Sequence, residues 1–159
     1  MLRGFRIAAA RFARSRKAAF SGQGGMRASA RWHTAGQPIV YTSQSLSLAA
    51  LEILVHLKQT DDLQPFHAFA VEIPDELILV PRSYPTRWAT DYKVSRAFGD
   101  SWLKATEKVA LRVPSVITPG EWNYLLNPAH PDFSLKWVVS GPTAYNFDAR
   151  LLSVRRAGN

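Results

Sequence analysis

The first acid in this 159-residue chain is Glu52, and it sits inside a run of apolar residues. With roughly 100° per residue on a helical wheel, Glu52 falls between Leu48 and Val55 and beside Leu51. A lone carboxylate among such neighbours is expensive to ionise unless a cation or several donors meet it. His56, one helical turn on, is a candidate partner. Two readings follow. Glu52 is either half of a structural ion pair at the rim of the core, or a catalytic carboxylate facing a cleft between helix and sheet.

The cations upstream of Glu52 favour an anion. The chain carries a formal charge of +8. Arg3, Arg6, Arg11, Arg14, Arg16, Lys17, Arg27 and Arg31 supply all of it, because no acid precedes Glu52 and the later charges cancel. So basic a half beside one apolar-flanked acid suits an anion site completed by a single carboxylate. An Arg-, Ala- and Ser-rich N-terminus also suits a mitochondrial transit peptide, but basic and aromatic residues continue through Arg31 and Trp32 with no processing boundary. A nucleic-acid arm is a third reading. Against it, no helix-turn-helix, zinc-finger or RNP pattern is present, and direct DNA binding by this chain is not expected. Arg14, Arg16 and Lys17 are left without a cleft role and suit an acidic protein surface.

Other chemistries are excluded by composition. There are no cysteines, so disulfides, thiolate catalysis and thiolate zinc sites are ruled out. No metal is expected. The lack of cysteine fits a reducing, cytoplasmic setting. No apolar run approaches the ~18 residues of a membrane span. Hydrophobic content of 47% with 20% charged residues is that of a globular protein, and the length fits one domain over residues 1–159.

The elements that must position Glu52 are read from pattern. Ile39–Tyr41 is a short strand, and Ser43, Ser45 or Ser47 caps a helix that begins at Leu46 and runs towards Lys58. Its apolar density predicts burial around most of its circumference. Upstream, Phe5–Ile7 is a strand, Ala8–Lys17 a helical turn and Ser21–Gly25 a flexible loop. Downstream, Thr60–Asp62 is a polar stop, and strands are expected at Phe66–Ile73, Leu77–Val80, Lys108–Val113, Ser134–Val139 and Tyr145–Leu152. A second helix covers Val94–Ala105, with Gly99 as its weak point. Strands and helices mix without regular βαβ alternation, which gives an α+β fold of mixed sheets with flanking helices.

The ordered motifs resemble a known family. Ala30-Arg31-Trp32-His33, Gly36 and Pro38–Ser43 are followed by Leu48-Ala49-Ala50-Leu51-Glu52-Ile53-Leu54-Val55-His56-Leu57. Gly99–Leu103, Leu111–Ser115, Asn123–Phe133 and Phe147–Leu151 then recur in the same order. Together they resemble the RES domain, named for an Arg, a Glu and a Ser, over essentially the whole chain. The resemblance implies an ADP-ribosyltransferase-like fold and the toxin of a bacterial RES–Xre toxin–antitoxin pair. It implies NAD as substrate, consumed by hydrolysis or phosphorolysis of the nicotinamide–ribose bond. The alternative is transfer of ADP-ribose to a host protein such as ribose-phosphate diphosphokinase. A helix-turn-helix antitoxin that occludes the active site is the implied partner. The site residues carried over are Arg6, Arg31, Tyr41, Glu52 and Ser115, with Asn127 as a further candidate. The chain departs from the family at Ile7, Ala30 and His33, where an aromatic, Gly and Asn are common.

The implied chemistry suits these residue types. Cleavage at the ribose develops positive charge as neutral nicotinamide leaves, and Glu52 would stabilise that charge. Arg6 and Arg31 would hold the pyrophosphate as planar forks, Tyr41 would stack on nicotinamide or ribose, and Ser115 would orient Glu52. His56 and His130 are read as structural. A non-catalytic module that captures nucleotides or an acidic peptide in the same basic cleft is the alternative of another class.

Overall fold

The structure is a computed structural model that describes residues 1–57, 64–148 and 150–153. Its described strands are β1 (Leu2–Ala9), β2 (Val40–Ser43), β3 (Phe66–Ile73), β4 (Ile78–Leu79), β5 (Ala110–Pro114), β6 (Trp122–Leu126) and β7 (Val138–Tyr145). They form one sheet in the order β4-β5-β6-β2-β1-β3-β7. Every neighbouring pair is antiparallel except the parallel pair β4–β5. The helices are α1 (Arg16–Ala19), α2 (Gln23–Arg27), α3 (Leu46–Leu54), α4 (Tyr92–Ala105) and α5 (Arg150–Ser153). The α+β class expected from the pattern is the one observed.

Alternation along the strands divides the core into two faces. On one, Val40, Phe69, Val71, Ile73, Tyr124 and Leu126 pack with Ala19 and Phe20 at the end of α1. On the other, two clusters leave a gap between them. Ile7 and Phe66 pack against Ala49 and Ala50 of α3. Leu111, Val113 and Leu125 pack against Trp102 and Leu103 of α4, with Trp32 and Ile39. The gap between these clusters is the cleft described below.

One weak seam runs through the sheet. β1 meets β3 over eight residue pairs, whereas β1 and β2 share the single pair Phe5–Ser43. The two strands therefore splay apart beyond Phe5.

Several local elements differ from expectation. Ser45 is the cap of α3, its hydroxyl accepting from the Leu48 N–H at 3.1 Å. The helix buries Leu48, Ala49 and Ala50 only, and Leu51 and Val55 are 40% and 51% exposed. An apolar run here does not mean all-round burial, because α3 lies on the sheet by one flank and borders the cleft with another. The helix ends at Leu54 with Val55 as its C-cap, short of the expected run towards Lys58; Lys58 itself and the stop at Thr60–Asp62 lie outside the described residues. The Ser21–Gly25 segment contains the start of α2 rather than a loop. Gly25 is packed there so tightly that a Cβ would meet Ile39 and the Gln37 carbonyl, a tertiary fit that overrides poor helix propensity. Upstream, β1 runs to Ala9, and a 3₁₀ turn (Ala10–Phe12) with the short α1 replaces the longer helical turn. The two last expected strands are one, β7, and the chain turns to helix at Arg150. β6 was not expected as a strand; it pairs with β5 just before it and, across about eighty residues of chain, with β2.

The glycine that weakens α4 as an isolated helix is what lets it dock. A Cβ on Gly99 would lie 1.8 Å from the Trp32 carbonyl oxygen. Gly99→Ala should therefore destabilise the chain by roughly 1–3 kcal/mol or more, as overpacking against immovable backbone does. Gly24→Ala, in α2 with open space around it, should gain about 0.5–1 kcal/mol from propensity. Urea unfolding of both variants checks the pair. Similar effects of the two changes would contradict the docking argument.

Candidate active site

A cleft of about 530 Å³ opens between α3 and α4 over β1, β2 and β6, within the range of small-molecule sites, about 300–1,000 Å³. Its lining includes Arg6, Arg31, Tyr41, Ser43, Glu52, His56, Tyr92, Arg96 and Asn123, and among the described residues Glu52 is its only carboxylate.

Cross-strand register sets what lies beneath Glu52. Phe5 pairs with Ser43, Ser43 with Asn123 and Asn123 with Val113, so these four form a row on one face of the sheet. Asn123 Nδ2 donates to Glu52 Oε1 at 2.6 Å. The Ser43 hydroxyl donates to Asn123 Oδ1 at 2.7 Å. The amide can take only this orientation, since turning it would set Oδ1 against the carboxylate. The Ser115 hydroxyl donates to the same Glu52 oxygen at 3.3 Å and accepts from the Ile117 and Thr118 N–H groups, both at 3.1 Å. With both lone pairs engaged, its proton is directed at Glu52. The donors that the apolar setting demanded are thus neutral ones, from β6 and from the turn after β5. Among the described residues neither is His56, which stands exposed on the cleft wall.

Arg6 occupies the seam. By alternation it belongs to the face opposite Phe5 and Ile7, yet it lines the cleft because the splayed strands leave room for its guanidinium. Arg6 Nε donates to the Ala19 carbonyl at 2.9 Å and Nη1 to the Tyr41 carbonyl at 3.1 Å, so the side chain stands where a strand partner of β2 would. Burial lowers its pKa to about 10. A desolvated cation of this kind favours an anion beside it.

Arg31 is held from α4. Its Nη1 donates to the Ala89 carbonyl at 2.8 Å, and its guanidinium lies 4.6 Å from the Tyr92 ring centre. The loop that carries it is pinned along its length. Arg96 Nε donates to the Ala30 carbonyl at 2.8 Å, Gly99 abuts Trp32, and Asp100 accepts from the Thr34 N–H and hydroxyl at 2.9 and 2.7 Å.

Tyr41 has its hydroxyl turned away from the cleft. His33 Nε2 lies 2.9 Å from the Ala28 carbonyl, which only accepts, so Nε2 carries the proton and Nδ1 accepts. The Tyr41 hydroxyl therefore donates to Nδ1 at 2.9 Å and accepts from the Trp32 N–H at 3.3 Å. Burial raises the Tyr41 pKa well above its ordinary value of 10.0. The ring, not the hydroxyl, is what Tyr41 offers the cleft.

The structure thus brings Arg6, Arg31, Tyr41, Glu52 and Ser115 to one place; Ser115 touches Glu52 from its rim. Asn127 stands apart, at the far end of β6, where its Oδ1 accepts from the Ala129 N–H at 3.0 Å and closes a turn. Residues that sequence reasoning passed over are Asn123, Ser43 and Arg96. The period-2 alternation of Asn123 with Leu125 was a usable signal for the first, had β6 been read as a strand.

Comparison with known proteins places these features in a family. The RES domain model matches residues 3–148. A curated protein named Toxin Res from Yersinia enterocolitica is 35% identical over 136 residues, covering 83% of this chain and 90% of that protein. A Prs ADP-ribosylating toxin from a Sphingobium species is 38% identical over 119 residues, covering 70% of this chain and 74% of that one. Among solved structures, the M. tuberculosis MbcT–MbcA toxin–antitoxin complex contains a chain that aligns with a TM-score of 0.60 at 15% identity. The alignment covers 98% of this chain and 88% of that one, a likeness of fold.

The His33 arrangement makes a pH prediction. Burial lowers the His33 pKa below its ordinary 6.5, against smaller raising effects of the Ala28 and Gly25 backbone and of Asp100. The unfolded chain then binds the proton more readily, so stability is full above the ordinary value and is lost as pH falls below it. The thermal midpoint should drop between about pH 7.5 and about pH 5.5, and by less in His33→Asn. Equal drops in both proteins would remove His33 as the cause.

Proposed function

This chain belongs to the RES domain family, and from that premise we propose that it is the toxin of a toxin–antitoxin system whose substrate is NAD. It breaks the bond between nicotinamide and ribose. The observation that carries this reading is the Glu52 carboxylate, the one carboxylate of the cleft among the described residues, fixed through one oxygen by Asn123 and Ser115 in a lining that carries the arginines Arg6, Arg31 and Arg96.

The chemistry follows from that geometry. As the C1′–N bond breaks, its electron pair goes to the ring nitrogen and neutral nicotinamide departs, so no strong acid is required. Positive charge passes to the ribose, where a carboxylate already fixed in place by the protein stabilises it. Asn123 occupies Oε1 and leaves Oε2 for a ribose hydroxyl or an incoming nucleophile. The nucleophile forms the new bond to C1′ and gives up its proton. Arg6 and Arg31 balance the substrate's phosphates, and the Tyr41 ring supplies an apolar wall.

Three acceptors suit the same step. Water or phosphate would make the chain a glycohydrolase or phosphorylase. A protein side chain would make it an ADP-ribosyltransferase, a reading supported by the 38% identical relative named as a Prs ADP-ribosylating toxin. A toxin of this kind needs a partner that silences it, and the cognate antitoxin is the proposed one. A cytoplasmic site of action agrees with NAD as substrate, and no helix among the described residues is long and apolar enough to cross a membrane.

The test is incubation of the purified chain with NAD labelled in the ADP-ribose part. Nicotinamide should be released, and the label should appear as ADP-ribose, as ADP-ribose 1″-phosphate when phosphate is added, or on a protein band when lysate is added. Undiminished NAD in all three arms would contradict the proposal and favour a binding module. Asn123→Ala should lower kcat about 10- to 100-fold with little change in KM, the worth of one hydrogen bond to a charged group, ~1.5–3 kcal/mol. An unchanged kcat would take Asn123 out of the mechanism.

A further inference from the structure

Arg6 and Arg31 are the arginines that the family pattern brings forward, but neither presents an unoccupied fork. Arg6 has Nε and Nη1 on backbone carbonyls, and Arg31 has Nη1 on Ala89 and Nη2 at 3.3 Å from the Tyr92 hydroxyl. Arg96 is different. Only its Nε is engaged, with Ala30, and neither Nη atom has a protein partner among the described residues. Neither is among the buried unpartnered atoms, so both are solvent-accessible, and Arg96 is one of the residues lining the cleft.

Arg96 is also pre-set. The hydrogen bond to Ala30 fixes one edge of the guanidinium, and its plane lies 5.1 Å from the centre of the Tyr92 ring, one helical turn earlier on α4. Arg31 lies on the same ring at 4.6 Å. Two guanidinium groups therefore share one aromatic ring, and among the described residues no carboxylate forms an ion pair with either. Two cations that share one ring repel unless an anion offsets their charge. A planar fork with both Nη groups unoccupied is the geometry that phosphate oxygens take in pairs.

We infer that Arg96 is the fork that holds the diphosphate of the substrate, with Arg31 as its neighbour across Tyr92 and Arg6 as a buried cation at the seam. This rests on the NAD reading and adds a residue to it. The position explains why the sequence hides it: Arg96 stands in mid-helix, where an arginine reads as a solvated face. Its ligand class is a nucleoside diphosphate or any compound with adjacent phosphates, not a monoanion.

The experiment uses the full chain with ADP-ribose and, separately, inorganic pyrophosphate, followed by calorimetric titration. Arg96→Lys keeps the charge and loses the fork, and Arg96→Gln loses both. Each should weaken both ligands about tenfold or more, as loss of a charge-assisted hydrogen bond does, while NAD turnover shows a raised KM with kcat kept. Affinity equal to wild type in both variants would overturn the inference. So would a fall in kcat matching the rise in KM, which is the mark of a displaced Arg31 loop. A second arm needs no variant. In the wild-type chain, phenylglyoxal should label Arg96, and saturating ADP-ribose should protect it; labelling that persists at saturation would also overturn the inference. A wild-type chain that binds neither ligand would instead defeat the NAD reading itself, which separates the two failures.

Discussion

The hydrogen bond from Asn123 to Glu52 is the contact on which the site depends. It joins the middle of the sheet to the last turn of α3, a helix whose buried residues are Leu48, Ala49 and Ala50, and the longer bond from Ser115 reaches the same carboxylate oxygen. The bond can form because Ser43 and Asn123 are register partners and because β1 offers Ser43 only one pairing residue, Phe5. A sheet fully zipped between β1 and β2 would pair the Tyr41 carbonyl with β1 backbone and leave Arg6 on the far face. The splay instead lets Arg6 take that carbonyl. One seam thus supplies both a floor for the carboxylate and a passage for a cation.

Electrostatics follow from that frame. Burial disfavours the charge on Arg6, and no carboxylate among the described residues pairs with it. Arg31 and Arg96 share Tyr92 without a counter-ion among the described residues. The cleft therefore holds more positive than negative charge before any ligand enters, which suits a substrate that brings two phosphates and a cationic ring. The basic residues outside the cleft divide from these cleanly. Arg11, Arg14, Arg16, Lys17 and Arg27 are exposed on the segment from β1 to α2, and Arg11 stacks on the exposed Phe12 at 4.7 Å.

Much of this was legible in the sequence, for reasons that can be stated residue by residue. Glu52 was conspicuous because an acid in an apolar helical run needs donors, and the structure provides them. Ser45 as a cap, β3 and α4 came from local signals that tertiary contacts did not overrule. The misses are all non-local. Gln23–Arg27 is helical because Gly25 fits against Ile39 and Gln37, which no window of neighbours contains. Asn123 and Ser43 acquire their meaning from strand register, and Arg96 acquires its own from the approach of α4 to the Arg31 loop at Gly99. Asn127, picked out by motif, turned out to close a turn, the commonest work of an asparagine between a strand and a proline.

The central claim is that the Glu52 carboxylate, and not merely a side chain of that shape, is what allows the nicotinamide bond to break. Glu52→Gln keeps the size and can still bond Asn123 after its amide turns, but it carries no charge. The decisive measurement is single-turnover release of nicotinamide by this variant, with ADP-ribose affinity and thermal midpoint recorded on the same sample. The account predicts a folded protein that binds ADP-ribose about as tightly as the wild type and releases nicotinamide at least about a hundredfold more slowly. Release within a few-fold of the wild-type rate, in a variant shown to be folded, would contradict it.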